Sequence, residues 1–237
     1  MPVAVESLAA AVARARLYPP ALSSLPEPKE ELVLLGEIHG VAQNVSVALG
    51  LLRRLGVGTL ALEWPAILSS WVERFRSSGR LDSALLDDDA RALVVAGDGR
   101  ISAEWLALLR RPEVRRVVLL DADVAPPFGW SERDAAMADA VLAAIDPGER
   151  ALLVAGNLHT PLVAHRHGVP MGARLAAAHA SVIELRLSYG AGTYWNFGER
   201  RLRGPRRASG PRGLHIASPM PAAVPVALVD GEAHPAP

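Results

Sequence analysis

Residues 32–40 read LVLLGEIHG, an unbroken apolar run that stops at a glycine and then presents a glutamate and a histidine. Residues 152–160 read LLVAGNLHT and repeat the pattern, with a histidine three residues after the glycine. Short apolar runs of this kind are typical of strands that are buried on both faces of a parallel sheet. The carboxyl ends of parallel strands share one edge, and ligands bind in the crevice outside that edge. We therefore expect His39 and His159 to approach one site, with Glu37 beside them.

Two further apolar runs end on carboxylates. Residues 59–62 run into Glu63, and residues 116–120 run into Asp121, with Asp123 two positions later. A helical pattern separates the first two predicted strands, because the apolar residues of 43–55 fall on one side of a helix. This order predicts a right-handed βαβ unit. The expected fold class is α/β, with a mostly parallel sheet flanked by helices.

The chain divides into three predicted parts. Residues 1–30 form an N-terminal helix and a proline-rich connector, and residues 31–190 form the α/β domain. Residues 65–112 show no strand pattern, so we expect a helical insertion within the domain that covers the strand carboxyl ends. Residues 191–237 form an aromatic and arginine-rich segment, then a proline-rich one, which packs on the same domain and is partly mobile.

Some element boundaries can also be predicted. We expect insertion helices over 67–76, 81–95 and 102–110, and a later helix over 131–145 that Ser131 caps at its N-terminus. Residues 227–229 are predicted to form a last edge strand.

Composition limits the function classes. The 237 residues carry a formal net charge of zero and no cysteine. The missing thiols exclude disulfides, thiolate zinc sites and a cysteine nucleophile, and leave histidines and carboxylates as the strong metal ligands. A neutral chain has no general attraction to nucleic acid or membranes, so we expect neither as a partner. No apolar stretch reaches the ~18 residues of a membrane span, and no signal-peptide pattern is seen, so we expect a cytoplasmic protein.

Four motifs in order resemble the erythromycin esterase/ChaN/Tiki superfamily. They are GEIHG at 36–40, LALE at 60–63, RDAAMA at 133–138 and GNLH at 156–159, and the resemblance covers roughly residues 31–187. The superfamily includes antibiotic esterases, metal-dependent peptidases and haem-binding lipoproteins. The resemblance therefore implies the α/β fold and a site at these motifs. The single residue between the glutamate and the histidine of GEIH is closer to the ChaN and Tiki pattern than to the esterase pattern.

The strand-end residues can support two kinds of hydrolytic chemistry. In the first, His39 is the general base for a water molecule, Glu37 or Glu63 holds its tautomer, and Arg133 or His159 stabilises the oxyanion. In the second, Glu37, His39, Glu63 and His159 bind one zinc, manganese or iron ion, whose water is the nucleophile. Both alternatives stay open. The predicted reaction is hydrolysis of an ester or amide bond in a small natural product or peptide.

Four residues are candidates for substrate binding. Asn157 and Asp134 lie within the motifs, and Tyr194 and Trp195 lie in a glycine-flanked aromatic cluster that precedes the arginines of 200–212. Aromatic and arginine side chains often form binding surfaces. Each also has a structural alternative, because Asn157 suits a tight turn, Asp134 a helix cap, and the aromatic residues a packed lid. His165 and His167 are predicted to lie in a solvated turn rather than to act as a ligand pair.

A non-catalytic function is the alternative to a hydrolase. The same pocket could hold a peptide, or a haem ligated by Tyr194 or a histidine, and the protein could be an accessory factor in a biosynthetic pathway. No G-x-S-x-G motif occurs in the sequence, which disfavours a serine α/β-hydrolase.

Overall fold

The computed structural model describes residues 8–20, 22, 28–81, 86, 98–121, 130–179 and 181–202, and the backbone of 213–216, 226–229 and 232–235. The helices are α1 (Leu8–Arg14), α2 (Gln43–Leu55), α3 (Ser69–Ser78), α4 (Ala103–Leu109), α5 (Trp130–Ala144) and α6 (Met171–Ala178), with a short 3₁₀ helix at Ala66–Leu68. The strands are β1 (Leu32–Glu37), β2 (Thr59–Pro65), β3 (Arg116–Asp121), β4 (Ala151–Gly156), β5 (Val182–Tyr189), β6 (Gly192–Trp195), β7 (Glu199–Leu202), β8 (Gly213–Ile216), β9 (Val226–Val229) and β10 (Glu232–Pro235).

The main sheet has the strand order β3-β2-β4-β1-β5-β8, and every pair of neighbours runs parallel. All six residues of β1 are buried, and they alternate between two cores. Val33 and Leu35 face the core that contains α2, α3 and α4, whereas Leu32 and Leu34 face the core that contains α5 and α6. Because helices cover both faces, the strands need apolar residues at successive positions. The predicted α/β fold is confirmed.

The sheet register brings the two repeated motifs together. β1 pairs with β4 so that Glu37 lies opposite Gly156. Gly36 must remain small, because a Cβ there would lie 2.5 Å from Oγ1 of Thr160 and 2.9 Å from Oδ1 of Asn157. β2 pairs with the other side of β4. The carboxyl ends of β1, β4 and β2, which carry or precede the polar residues, are therefore neighbours at one edge of the sheet.

The insertion is described only in part. Most of the helix predicted over 81–95 lies outside the described residues. Helices α3 and α4 contribute Phe75 and Trp105 to the same core as α2, so these helices belong to one side layer of the sheet. A helical cover over the strand ends stays a prediction.

The C-terminal segment differs from the expectation. Residues 213–216 form a parallel strand beside β5, and β6 and β7 form an antiparallel hairpin. The strand predicted at 227–229 is β9, but it pairs with β10 in a separate two-stranded sheet. The predicted strand is therefore present, but at the edge of this separate sheet and not of the main one, because the next segment of chain supplies its backbone partner.

Helix α5 also begins one residue earlier than expected. It starts at Trp130, which places Ser131 inside the first turn rather than at the N-cap. The Ser131 hydroxyl accepts a hydrogen bond from Nη2 of Arg174 at 3.0 Å instead. None of the helices described above has both the length and the apolar character that crossing a membrane requires.

Candidate functional site

Glu37, Glu63 and Asp121 lie at the carboxyl ends of β1, β2 and β3. All three carboxylates are buried. The pairing of β2 with β3 shifts register between Leu62 and Pro65, where Glu63 lies. Such irregularities re-aim side chains at the ends of strands. The parallel topology therefore concentrates three acidic groups at one edge of the sheet.

His39 lies between two of these carboxylates. Its Nδ1 is 2.9 Å from Oε1 of Glu37, and its Nε2 is 3.4 Å from Oε2 of Glu63. The imidazole is 22% exposed, whereas the glutamates are almost fully buried. Burial opposes protonation, but the charge of Glu63 and the hydrogen bonds that His39 donates to both glutamates outweigh it and raise the pKa of His39 to about 10. His39 is therefore held as an imidazolium at neutral pH.

The two glutamates have opposite electrostatic environments. Burial raises the pKa of Glu37, although its contacts with His39 partly oppose this rise. Burial also acts on Glu63, but the positive charges of His39 and Arg133 and the hydrogen bond from His39 hold its pKa well below the usual range. Oε2 of Glu63 also accepts a hydrogen bond from the backbone N–H of Gly156 at 2.7 Å. Glu63 is therefore the fixed negative charge at the centre of the site.

Arg133 connects the acidic groups. Its Nε and Nη2 donate to the two oxygens of Asp121 at 2.8 and 2.7 Å, and Nη2 also donates to Oε1 of Glu63 at 2.5 Å. Its Nη1 lies 2.9 Å from Nε2 of His159. Nearby carboxylates raise the pKa of Arg133 despite the opposing effect of burial. This bidentate geometry requires a guanidinium, because an ammonium cannot span four acceptors.

The hydrogen-bond partners of His159 determine which of its ring nitrogens carries the proton. Arg133 can only donate, so Nε2 of His159 accepts. Nδ1 then carries the proton and donates to Oδ1 of Asp134 at 2.8 Å. The same oxygen of Asp134 accepts from the backbone N–H of Met171 at 2.8 Å. Asp134 is buried behind His159 and positions it, so its side chain faces the imidazole rather than the open side of the site.

Arg100 belongs to the site but was not among the residues predicted from the sequence. Its Nη1 donates to Oδ2 of Asp121 at 2.6 Å, and its Nε donates to Oδ2 of Asp98 at 2.6 Å. Negative neighbours raise the pKa of Arg100 against the effect of burial. The sequence signal for Arg100 was the glycine-flanked Asp98, a turn pattern that Arg100 follows two residues later.

The remaining predicted residues lie at the periphery. The backbone N–H of Asn157 donates to the carbonyl of Glu37 at 2.8 Å. The backbone N–H of Trp195 donates to the carbonyl of Gly40 at 2.9 Å, so hairpin β6–β7 docks on the loop after β1. Gly40 has φ 75°, and a Cβ there would meet the carbonyl oxygen of Trp195. Tyr194 is half-buried against the larger core.

The predicted histidine turn is present. His165 and Gly168 exchange two backbone hydrogen bonds of 3.0 and 2.9 Å. Asp123 and the arginines of 203–212 lie outside the described residues.

The four predicted metal ligands do not fit a divalent ion in this arrangement. Both ring nitrogens of His39 face carboxylates, and Nε2 of His159 accepts from Arg133. Within the described ranges, no group of three or more histidine, aspartate or glutamate side chains has the geometry to hold a metal ion. Arg133, Arg100 and His39 supply the positive charge that a metal ion would otherwise provide to balance the carboxylates.

The comparisons with known proteins bear on the fold. No protein-family model matches the chain, and the comparison with curated proteins finds no match. A solved structure of a Bacillus cereus protein is similar over 80% of this chain and 74% of its own, with 12% identity and a TM-score of 0.52. A structure described as bacterial protein toxins is 21% identical over 76% of this chain, with a TM-score of 0.47, and this chain spans 38% of its length. The class of protein shown is an α/β protein with a parallel sheet.

Proposed function

We propose that the protein is a hydrolase that acts on an ester or amide bond of a small natural product or peptide. We also propose that it belongs to the erythromycin esterase/ChaN/Tiki superfamily, since all four motifs that carry the resemblance meet at one edge of the sheet. One observation carries the proposal. His39, partly exposed and held between the buried Glu37 and Glu63, faces the same centre as Arg133 and His159.

His39 is the proposed proton-transfer group. Its Nδ1–H is fixed by Glu37, so Nε2 is the ring nitrogen that can exchange a proton with a reactant. A Cβ at Gly156 would lie only 3.2 Å from this Nε2, and the glycine leaves that space free. Deprotonated Nε2 takes a proton from water as the water oxygen bonds to the carbonyl carbon. The same proton then passes to the leaving oxygen or nitrogen as its bond to carbon breaks.

Arg133 is the proposed oxyanion donor. A guanidinium has five N–H groups. The contacts with Asp121, Glu63 and His159 use four of them, which leaves one N–H on Nη1 without a partner among the described residues. A fixed cationic donor beside a buried site stabilises the negative charge that develops on the carbonyl oxygen.

The raised pKa of His39 predicts an alkaline pH profile. Only the neutral imidazole can take the proton from water, and with a pKa of about 10 it is the minor form at pH 7. The kcat/KM should rise about tenfold per pH unit from pH 7 and level off near pH 10.

The test is hydrolysis of a panel of simple esters and peptides by wild type and His39→Gln. His179→Gln is a matched control, because His179 is also 22% exposed and lies 3.0 Å from a glutamate, Glu31, at the opposite end of β1. The proposal predicts a loss of at least 100-fold in the His39 variant and an unchanged rate in the control. Equal rates in all three proteins would contradict the role of His39. No hydrolysis by wild type would contradict the hydrolase itself and favour the non-catalytic peptide or haem binder.

A further inference from the structure

An exposed tryptophan lies directly beside the proposed catalytic centre. Trp130, the first residue of α5, is 50% exposed. Its indole stacks on the buried imidazole of His159, with 5.4 Å between the ring centroids and 19° between the planes. Arg133 lies three residues further along the same helix and therefore on the same face. Half of a large apolar side chain is thus open to solvent next to the proposed oxyanion donor.

A second ring extends this surface. The imidazole of His167 lies 6.0 Å from the indole of Trp130, and His165 makes an edge-on contact with His167 at 5.6 Å. Backbone hydrogen bonds between His165 and Gly168 fix the turn that carries both rings. The turn also packs on α5, because a Cβ at Gly168 would lie 3.0 Å from Cβ of Ser131. The rings are therefore held in place before any ligand arrives.

The surface combines ring faces with exposed apolar side chains. Nε2 of His165 donates to the carbonyl of Leu158 at 2.8 Å, and its Nδ1 accepts from the backbone N–H of His167 at 3.2 Å, so both ring nitrogens are bonded to the backbone. Nε2 of His167 accepts from Nε of Arg166 at 2.9 Å, so the guanidinium of Arg166 borders the ring of His167. Exposed Leu158 and Val169 lie in the connection between β4 and α6 that also carries His165 and His167. We name Trp130, Leu158, His165, His167 and Val169 the aromatic shelf.

We propose that the aromatic shelf binds an aromatic ring in the acyl or leaving group of the substrate. This inference rests on the proposed function, because it names the substrate class for the same site. A flat ring can stack or pack edge-on against the indole and imidazoles, which a flexible alkyl chain cannot do. The shelf is also continuous with the proposed centre through the ring of His159, so a ring bound there places an attached carbonyl near Arg133.

The first test measures binding without turnover. Saturation-transfer NMR with benzyl alcohol as the probe compares wild type with Trp130→Ala, Trp130→Phe and Leu142→Ala. Leu142 is a matched control, since it is an exposed apolar residue on the same helix, about 18 Å from residue 130 at 1.5 Å per residue. Loss of one aromatic partner should weaken binding by about 10-fold in Trp130→Ala, with affinity retained in Trp130→Phe and Leu142→Ala.

The second test measures specificity with two methyl esters that share a leaving group. Trp130→Ala should lower the ratio of kcat/KM for methyl phenylacetate to kcat/KM for methyl butanoate about 10-fold, and Leu142→Ala should leave this ratio unchanged. Unchanged probe binding in Trp130→Ala, or an equal change for the two esters, overturns the inference. If wild type hydrolyses neither ester, the proposed function fails and the NMR comparison alone decides whether the shelf binds aromatic rings.

Discussion

His39 should titrate far from the usual range of a histidine, and its replacement should make the stability of the protein less dependent on pH. The pKa rises from 6.5 to about 10 because Glu37 and Glu63 favour the imidazolium more strongly than burial opposes it. This rise corresponds to roughly 5 kcal/mol of preferential interaction with the charged form. The group contributes this stability in full below pH 6.5 and loses it as the pH rises through 10. The contribution is about 4 kcal/mol at pH 7 and about 1 to 2 kcal/mol at pH 9.

Two measurements check this expectation. The first is an NMR titration of the seven histidines, in which the signal absent from His39→Gln identifies His39. The second is urea unfolding at pH 7 and pH 9. The difference in unfolding free energy between wild type and His39→Gln should shrink by about 2 to 3 kcal/mol over this interval. A His39 midpoint near 6.5, or a difference that does not change with pH, would refute the electrostatic reasoning and the alkaline rate profile with it.

Three further outcomes are expected. Gly156→Ala should lower the hydrolysis rate by at least 10-fold with little loss of stability, because the new Cβ would lie 3.2 Å from Nε2 of His39; an unchanged rate would show that Nε2 does not need this space. Arg133→Leu should lower the unfolding free energy by about 3 to 5 kcal/mol in urea, since buried Asp121 and Glu63 both lose the guanidinium that joins them. Tyr189→Phe should cost about 1 to 3 kcal/mol in the same assay, because the buried hydroxyl accepts from the N–H of Ile38 at 2.8 Å and donates to Oδ1 of Asn44 at 3.1 Å.

The strand-end residues could be predicted because the pattern that marks them is local. In a parallel sheet, an apolar run that stops at a glycine indicates a buried strand that ends there. β1 and β4 are two such strands, and they pair with each other residue by residue. The carboxyl ends of parallel strands then bring Glu37, Glu63 and His159 to one edge whatever the details of packing. The α/β class and the main candidate residues of the site follow from this pattern.

The protonation states could not be predicted in the same way. From the sequence alone His39 is expected to have an ordinary histidine pKa, whereas burial between two carboxylates makes it an imidazolium at neutral pH. Burial and distance set the size of a pKa shift, and both are properties of the packed chain. The contact of Glu63 with Arg133 joins residues 70 positions apart, so no spacing rule announces it.

The C-terminal strands and the aromatic shelf also depend on tertiary structure. The strand at 213–216 finds its partner in β5, while the strand at 226–229 pairs with the segment that follows it. Trp130 looks like an ordinary helix-start residue until α5 packs beside β3 and places the indole on His159. The sequence by itself determined which residues end the strands, because apolar periodicity is encoded locally. Only the tertiary structure decided which side chains meet and which carry a proton, because those interactions act through space between distant parts of the chain.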